Sequence, residues 1–330
     1  MCLYLRICAD FRGSGRAWCE SSGSSSVQCN QKQNEWLLFG YLSFRLAVPN
    51  QGVDFQRGST VSLGTDIRLK RIFSHESGRL FGIAADHFIG YGDVRAGGLA
   101  DLRGALRQTV AAGPDSVTIN GGAAKNLWPE HAGKAALIVQ GGMFTADDRV
   151  HELTLEPQDA VRLGADALAV SIGVRGDHEG PYIKWLTDSV RKAAAFEMPV
   201  IAHIYPRNYE GEPRVEFTPD QIAWAVRVGL ETGVDVIKVG YPGDAAAFKD
   251  IVAMTPVPIV LAGGPKTETL AESLDQTAEA ISTGALGAVV GRNVWGAENV
   301  LEAALAYKAV IHDGVDAETA LAQAKAQAAA

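Results

Sequence analysis

The feature that most constrains this chain is an alternation. From about residue 66 onward, short apolar runs of four to seven residues alternate with longer amphipathic segments. Runs of that length with turn residues at their ends predict strands, and the segments between them carry helical spacing. The predicted strands are Phe81–Ala85, Ser116–Asn120, Ala136–Gln140, Asp166–Ile172, Pro199–Ile204, Asp235–Gly240, Pro258–Ala262 and Gly287–Gly291. The predicted helices are Gly98–Ala112, Gln158–Leu163, Tyr182–Phe196, Pro219–Thr232, Asp244–Ala253, Thr269–Thr283 and Ala297–His312, with a weaker one in Gly121–Lys134. Thr218 ahead of Pro219, and Asp244 ahead of Ala245, are capping residues where helices should start. Eight strands alternating with helices over about 240 residues match the size of a (β/α)₈ TIM barrel. The rival, an open doubly wound sheet, wants a Gly-x-Gly-x-x-Gly turn after its first strand, and none follows here.

Residues 1–60 read differently. They hold all four cysteines (Cys2, Cys8, Cys19, Cys29), a Ser/Gly run at Ser21–Ser26 and a Gln/Asn patch at Gln28–Asn34. No sustained period runs through them. The segment is expected to lie outside the fold, as a disordered extension or as a stretch upstream of a start near Val61. A targeting or partner-binding arm is the alternative. Residues 61–330 are expected to form one barrel domain.

Charge and hydropathy exclude some partners. A formal net charge of −8 argues against nucleic acid, because binding the phosphate backbone needs a basic face. It leaves room for an anionic small molecule held by backbone N–H groups. No apolar stretch reaches the roughly 18 residues of a membrane span; the nearest, Trp36–Val48, is interrupted by Arg45. The main body has no cysteine, which fits a cytoplasmic enzyme. The histidines show no His-x-x-x-His or His-x-His pairing, so a mechanism without a metal cofactor is the simpler expectation.

In a barrel, reactive groups sit at the C-terminal ends of strands, and parity tells which face inward. On the sixth strand Lys238 shares a face with Val236 and Gly240. An inward lysine among apolar residues is costly as a cation, which favours the free amine needed for Schiff-base chemistry. An ion-paired or snorkelling lysine is the other reading. Asp86 has the parity of Gly82 and Ala84, and His87 follows it as a possible acid or base; turn chemistry or a helix cap would also suit this pair. His203 and Tyr205 share parity at the end of strand five, as proton shuttles or as packed core residues. Ser171 and Asn120 are polar strand ends that could line a pocket. Glycine-rich turns follow strands seven and eight: Gly263-Gly264-Pro265-Lys266 and Gly291-Arg292. Together they suit a phosphate site, with Lys266 and Arg292 adding charge.

Three segments carry a resemblance. They are Ile237-Lys-Val-Gly-Tyr-Pro-Gly-Asp244, Val257-Pro-Ile-Val-Leu-Ala-Gly-Gly-Pro-Lys-Thr267 and Gly287-Ala-Val-Val-Gly-Arg-Asn-Val-Trp295. They resemble the last three strands of archaeal-type class I fructose-bisphosphate aldolases, a group related to deoxyribose-phosphate aldolase, and Asp86-His87 matches the close of their first strand. The resemblance runs from about Gly78 to about His312. It implies a Schiff-base lysine at Lys238, a partner carboxylate at Asp86, and a phosphate cradle of Gly263, Gly264, Gly291 and Arg292. It further implies a phosphorylated small-molecule substrate and a covalent Schiff base in place of any cofactor; barrels of this sort often assemble, so a homo-oligomer is the expectation, with no nucleic-acid or membrane partner on the charge and hydropathy above.

Two departures touch the pocket. The family's acid/base tyrosine at the end of strand four is replaced by Gly173, which leaves His87, Tyr205 or His203 to move protons. Phe88 stands where the family has a glycine. The resemblance therefore implies a lyase acting on a phosphorylated ketose. The alternatives are a thiolase-like acyltransferase on a phosphorylated dione, using the same lysine, and a non-catalytic sugar-phosphate binder.

Overall fold

The computed structural model describes residues 62–330 apart from 92, 93 and 150. The expectation for residues 1–60 lies outside the described residues. Eight parallel strands form the inner ring: β1 (Leu80–Ala84), β2 (Ser116–Asn120), β3 (Ala136–Phe144), β4 (Ala167–Val174), β5 (Val200–Asn208), β6 (Val236–Val239), β7 (Ile259–Ala262) and β8 (Gly287–Val290). Each pairs with the next, and β8 pairs back to β1, so the sheet closes on itself. Helices lie between the strands. The fold is the (β/α)₈ barrel that the alternation implies.

The strands are buried throughout, and alternating residues pack into two different clusters. Phe81, Ile83, Val117, Val139, Val170, Ile237 and Leu261 belong to the cluster packed under the helices. Leu80, Ala136, Ile138, Ala169, Ile201, Val236, Val260 and Val289 form a second cluster inside the barrel. A helix not foreseen in the sequence, Leu63–Ile72, adds Leu69 and Ile72 to that inner cluster, together with Phe73 just beyond it. It caps the end of the barrel opposite the C-terminal strand ends. A second unforeseen helix, Ala317–Ala328, packs against Val300–Lys308.

Register is pinned where the strands begin. Asp115, Asp166 and Asp235 stand just ahead of β2, β4 and β6. Each accepts a hydrogen bond from a backbone N–H near the start of the preceding strand: Phe81 (2.8 Å), Leu137 (3.3 Å) and Val200 (2.9 Å). A carboxylate that satisfies a buried N–H also resists a one-residue slip, which would turn every inward side chain outward.

The strands of the β3–β5 wall run past their predicted ends. Register shifts between Gln140 and Gly142, a bulge in β3. Its tip then pairs antiparallel with a short strand, His151–Leu153, and the tip of β5 pairs with Arg214–Val215. The weak helix predicted over Gly121–Lys134 is shorter than expected. It covers Gly121–Leu127 and ends in a 3₁₀ turn at Trp128–Glu130, where Pro129 interrupts the helical hydrogen bonding. The helix predicted from Gly98 starts later, at Leu102, where the Asp101 side chain caps the Gly104 N–H at 2.9 Å.

Candidate active site

Lys238 lies inside the barrel, 3 % exposed. Val236 and Val260 belong to the apolar cluster beneath it, and His203 is its register partner on β5. Burial holds its ammonium below the usual lysine range. The Asp86 carboxylate pulls the other way and the Arg292 cation reinforces the drop, leaving a value of about 8. A free amine is thus accessible near neutral pH.

Asp86 follows the end of β1. Its backbone carbonyl accepts from Asn120 Nδ2 (3.1 Å), which fixes the turn. Burial alone would raise its carboxyl. His87, Lys238, His203 and a hydrogen bond from Gln140 outweigh burial and hold it below the ordinary carboxylate range. His87 Nδ1 is 3.6 Å from Asp86 Oδ1. Burial lowers the His87 imidazole to about 4, against the pull of Asp86 and with the help of Lys238 and Arg292, so it is neutral at physiological pH.

A cavity of about 260 Å³ opens beside Lys238. Its walls include His87, Tyr205, Val215, Phe217, Gly263, Gly264, Gly291 and Arg292. Most of the sequence-predicted residues therefore meet at one place. His203 is buried next to Lys238 and does not line this cavity. Lys266 is not brought to it either: it is exposed, and its ammonium donates to the Gly296 carbonyl at 2.5 Å.

Two glycines have a steric reason. Gly264 takes a left-handed φ of 65°, which a side chain would strain. A Cβ on Gly291 would fall 2.6 Å from His87 Cε1 and 2.7 Å from the Ala84 carbonyl, so only glycine lets the β8 loop close against the end of β1.

The sequence reading missed several residues. Asn293 ties the two glycine loops together. Its Nδ2 donates to the carbonyls of Gly263 and Pro265 (both 3.1 Å) and to Ser273 Oγ (2.9 Å), while its Oδ1 accepts from Thr267 N (3.0 Å). Gln140 lies at the centre of the β3–β5 wall. A lone polar residue in an apolar strand, with the inward parity of Ala136 and Ile138, was the signal for it. Val215, on the short strand that pairs with the tip of β5, and Phe217 just beyond it come from a segment where spacing carried no signal.

Arg207 accounts for the departure at Gly173. It has the inward parity of His203 and Tyr205 and is fully buried. A Cβ on Gly173 would fall 2.6 Å from its Cζ. The guanidinium pairs with Asp148, which also accepts from Tyr182 Oη (2.6 Å) and Tyr209 Oη (2.8 Å). An arginine from β5 thus occupies the space into which a side chain at 173 would grow.

A family profile described as DeoC/LacD family aldolase matches residues 81–297. The chain belongs to the DeoC/LacD family of aldolases. This aldolase is accordingly a lyase. It is 35% identical over 264 residues to 2-amino-3,7-dideoxy-D-threo-hept-6-ulosonate synthase of Halobacterium salinarum, covering 79% of this chain and 96% of that one. It is 32% identical over 251 residues to the class 1 fructose-bisphosphate aldolase of Thermoproteus tenax, covering 74% and 93%. Among solved structures, an archaeal fructose-1,6-bisphosphate aldolase with its catalytic lysine bound to the carbinolamine intermediate superposes with a TM-score of 0.67. It shares 31% identity, over 76% of this chain and 99% of that one.

Proposed function

We propose that this aldolase makes or breaks a C–C bond in a phosphorylated ketose through a Schiff base on Lys238. The observation that carries the reading is a buried lysine, with its amine lowered to about 8, lining the same cavity as two glycine loops and an arginine. The Lys238 amine adds to the ketose carbonyl, and loss of water leaves an iminium. That cation is the electron sink: the bond between C3 and C4 breaks, its electron pair enters the iminium as an enamine, and the C4 hydroxyl gives up its proton as the aldehyde leaves. Ionised Asp86 stabilises the iminium charge. Backbone groups of Gly263, Gly264 and Gly291, with the Arg292 side chain, hold the phosphate.

The proton carrier in this reading is Tyr205. It lines the cavity with Lys238, while Gly173 offers no side chain. Tyr205→Phe is expected to lower kcat by about 10²–10⁴-fold with little change in KM, the range of general acid–base assistance. A variant with unaltered kcat would move the role to another group, His87 first.

Borohydride reduction in the presence of a panel of phosphorylated ketoses, with peptide mapping, tests the reading as a whole. A stable adduct on Lys238 is expected, forming faster as pH rises through about 8, where the amine loses its proton. Absence of an adduct with every ketose would refute the Schiff base. The panel also identifies the substrate, on which the relatives differ: one is named a fructose-bisphosphate aldolase and another an ulosonate synthase.

A further inference from the structure

The two sides of Lys238 differ in charge. Around the ring, β6 lies between β5 and β7. Among the described residues that line the cavity, the cations are Lys238 and Arg292, and Arg292 follows β8 beside the glycine loops. From the β5 side come Tyr205, Val215 and Phe217. Val215 and Phe217 are held in place, because both pack against the main core cluster. Phe217 also fills a notch at Gly240: a Cβ there would collide with Cδ1 and Cε1 of its ring. Gly240 stands two residues past Lys238, roughly 7 Å further along an extended chain. An aromatic ring is therefore fixed one step beyond the nucleophile, at the C-terminal end of β6.

In the cleavage described above, the ketose phosphate goes to the loops after β7 and β8, and the C4 hydroxyl meets Tyr205. The carbons beyond C4 then run along Val215 and Phe217. A phosphate dianion seated there would exchange water for apolar side chains, with no cation to pair with. β5 does carry a cation, Arg207. Its side chain is wholly buried, it does not line the cavity, and its guanidinium engages Asp148. Its Nε lies against Gly173 and its Nη2 against Gly176, both at the end of β4. Recruiting it to a ligand would disturb a buried ion pair. We propose that the substrate is a ketose with a single phosphate, on the carbon next to the carbonyl, and that Val215 and Phe217 select an uncharged aldehyde half. This selectivity rests on the Schiff-base reading and on the place of Tyr205 in it. It sets the chain apart from an enzyme for a ketose bisphosphate, whose aldehyde product keeps a phosphate.

Aldol addition by the full chain, the reverse of that cleavage, tests the selectivity directly. Dihydroxyacetone phosphate serves as donor. The acceptors are glyceraldehyde and glyceraldehyde 3-phosphate, which differ by the phosphate alone. kcat/KM for glyceraldehyde is expected to be higher by about 10²-fold or more, since an apolar pocket rejects even one added hydroxyl by about that factor and a dianion costs more. An equal or higher value for the phosphorylated aldehyde would overturn the proposal. Phe217→Lys puts an ammonium beside the aldehyde half and is expected to narrow the ratio about tenfold, whereas Phe217→Leu should leave it in place. A ratio that the lysine does not move denies Phe217 this role. Should that variant fail to fold, the wild-type ratio still decides. Borohydride trapping with dihydroxyacetone phosphate alone separates the two levels. Absence of an adduct on Lys238 refutes the Schiff base, and the selectivity with it. An adduct in a protein that accepts both aldehydes equally, or refuses glyceraldehyde, refutes the single phosphate and leaves the Schiff base standing.

Discussion

Lys238→Ala is expected to abolish turnover, a loss on the order of 10⁴-fold or more, as when a covalent nucleophile is removed. Binding of inorganic phosphate should persist, because the glycine loops and Arg292 follow β7 and β8, whereas Lys238 belongs to β6. The alanine also removes a buried cation that faces Asp86, so Lys238→Met is the necessary companion. It keeps the volume of the stem and should be equally inactive. Turnover measured on the ketose that gives the borohydride adduct, with phosphate affinity by calorimetry, checks both. Activity retained in either variant would dismiss Lys238 as the nucleophile. Wild-type activity is expected to rise with pH through about 8, since burial lowers the ammonium to that value and the attacking species is the amine. It is also expected to survive EDTA, because the proposed electron sink is the iminium itself.

Gly173→Tyr should not restore the family's proton carrier. It should destabilise the fold. Its Cβ would meet the Arg207 guanidinium, which is buried and paired with the 8 % exposed Asp148 side chain. Driving the arginine out leaves a buried carboxylate whose remaining hydrogen-bond partners among the described residues are Tyr182, Tyr209 and His178. Breaking a buried ion pair by displacing one partner costs about 3–5 kcal/mol. Urea unfolding should show that loss as a lower midpoint at unchanged slope. The smaller step, Gly173→Ala, already contains the clash. Combined with Arg207→Ala it should cost less than the two single changes added, by roughly 0.5–3 kcal/mol, the coupling of groups in direct contact. Strict additivity would mean that Gly173 and Arg207 do not compete for one space.

Much of the fold was legible because it depends on periodicity. Apolar runs at strand length, parity within each run and capping residues are local properties. They located eight strands and set Lys238, Asp86, His203 and Tyr205 on inward faces. The misses also have local causes. Gly141-Gly142 reads as a strand end, yet the bulge there carries β3 on to Phe144. Pro206 reads as a break, yet β5 continues to Asn208. Leu63–Ile72 has weak amphipathic contrast, and its role depends on the open end of the barrel it covers.

By itself, then, the sequence determined the architecture, the direction in which Lys238 points and the two glycine loops, because these follow from spacing along one chain. Only the tertiary structure decided who meets whom. Gln140, Ser171 and His203 lie on three different strands, and the hydrogen bonds among them exist only once the barrel closes. Arg207 and Gly173 are far apart in sequence, yet one occupies the space the other leaves empty. Such pairings depend on interstrand register and on competition for a shared volume, neither of which is written in the period of a single strand.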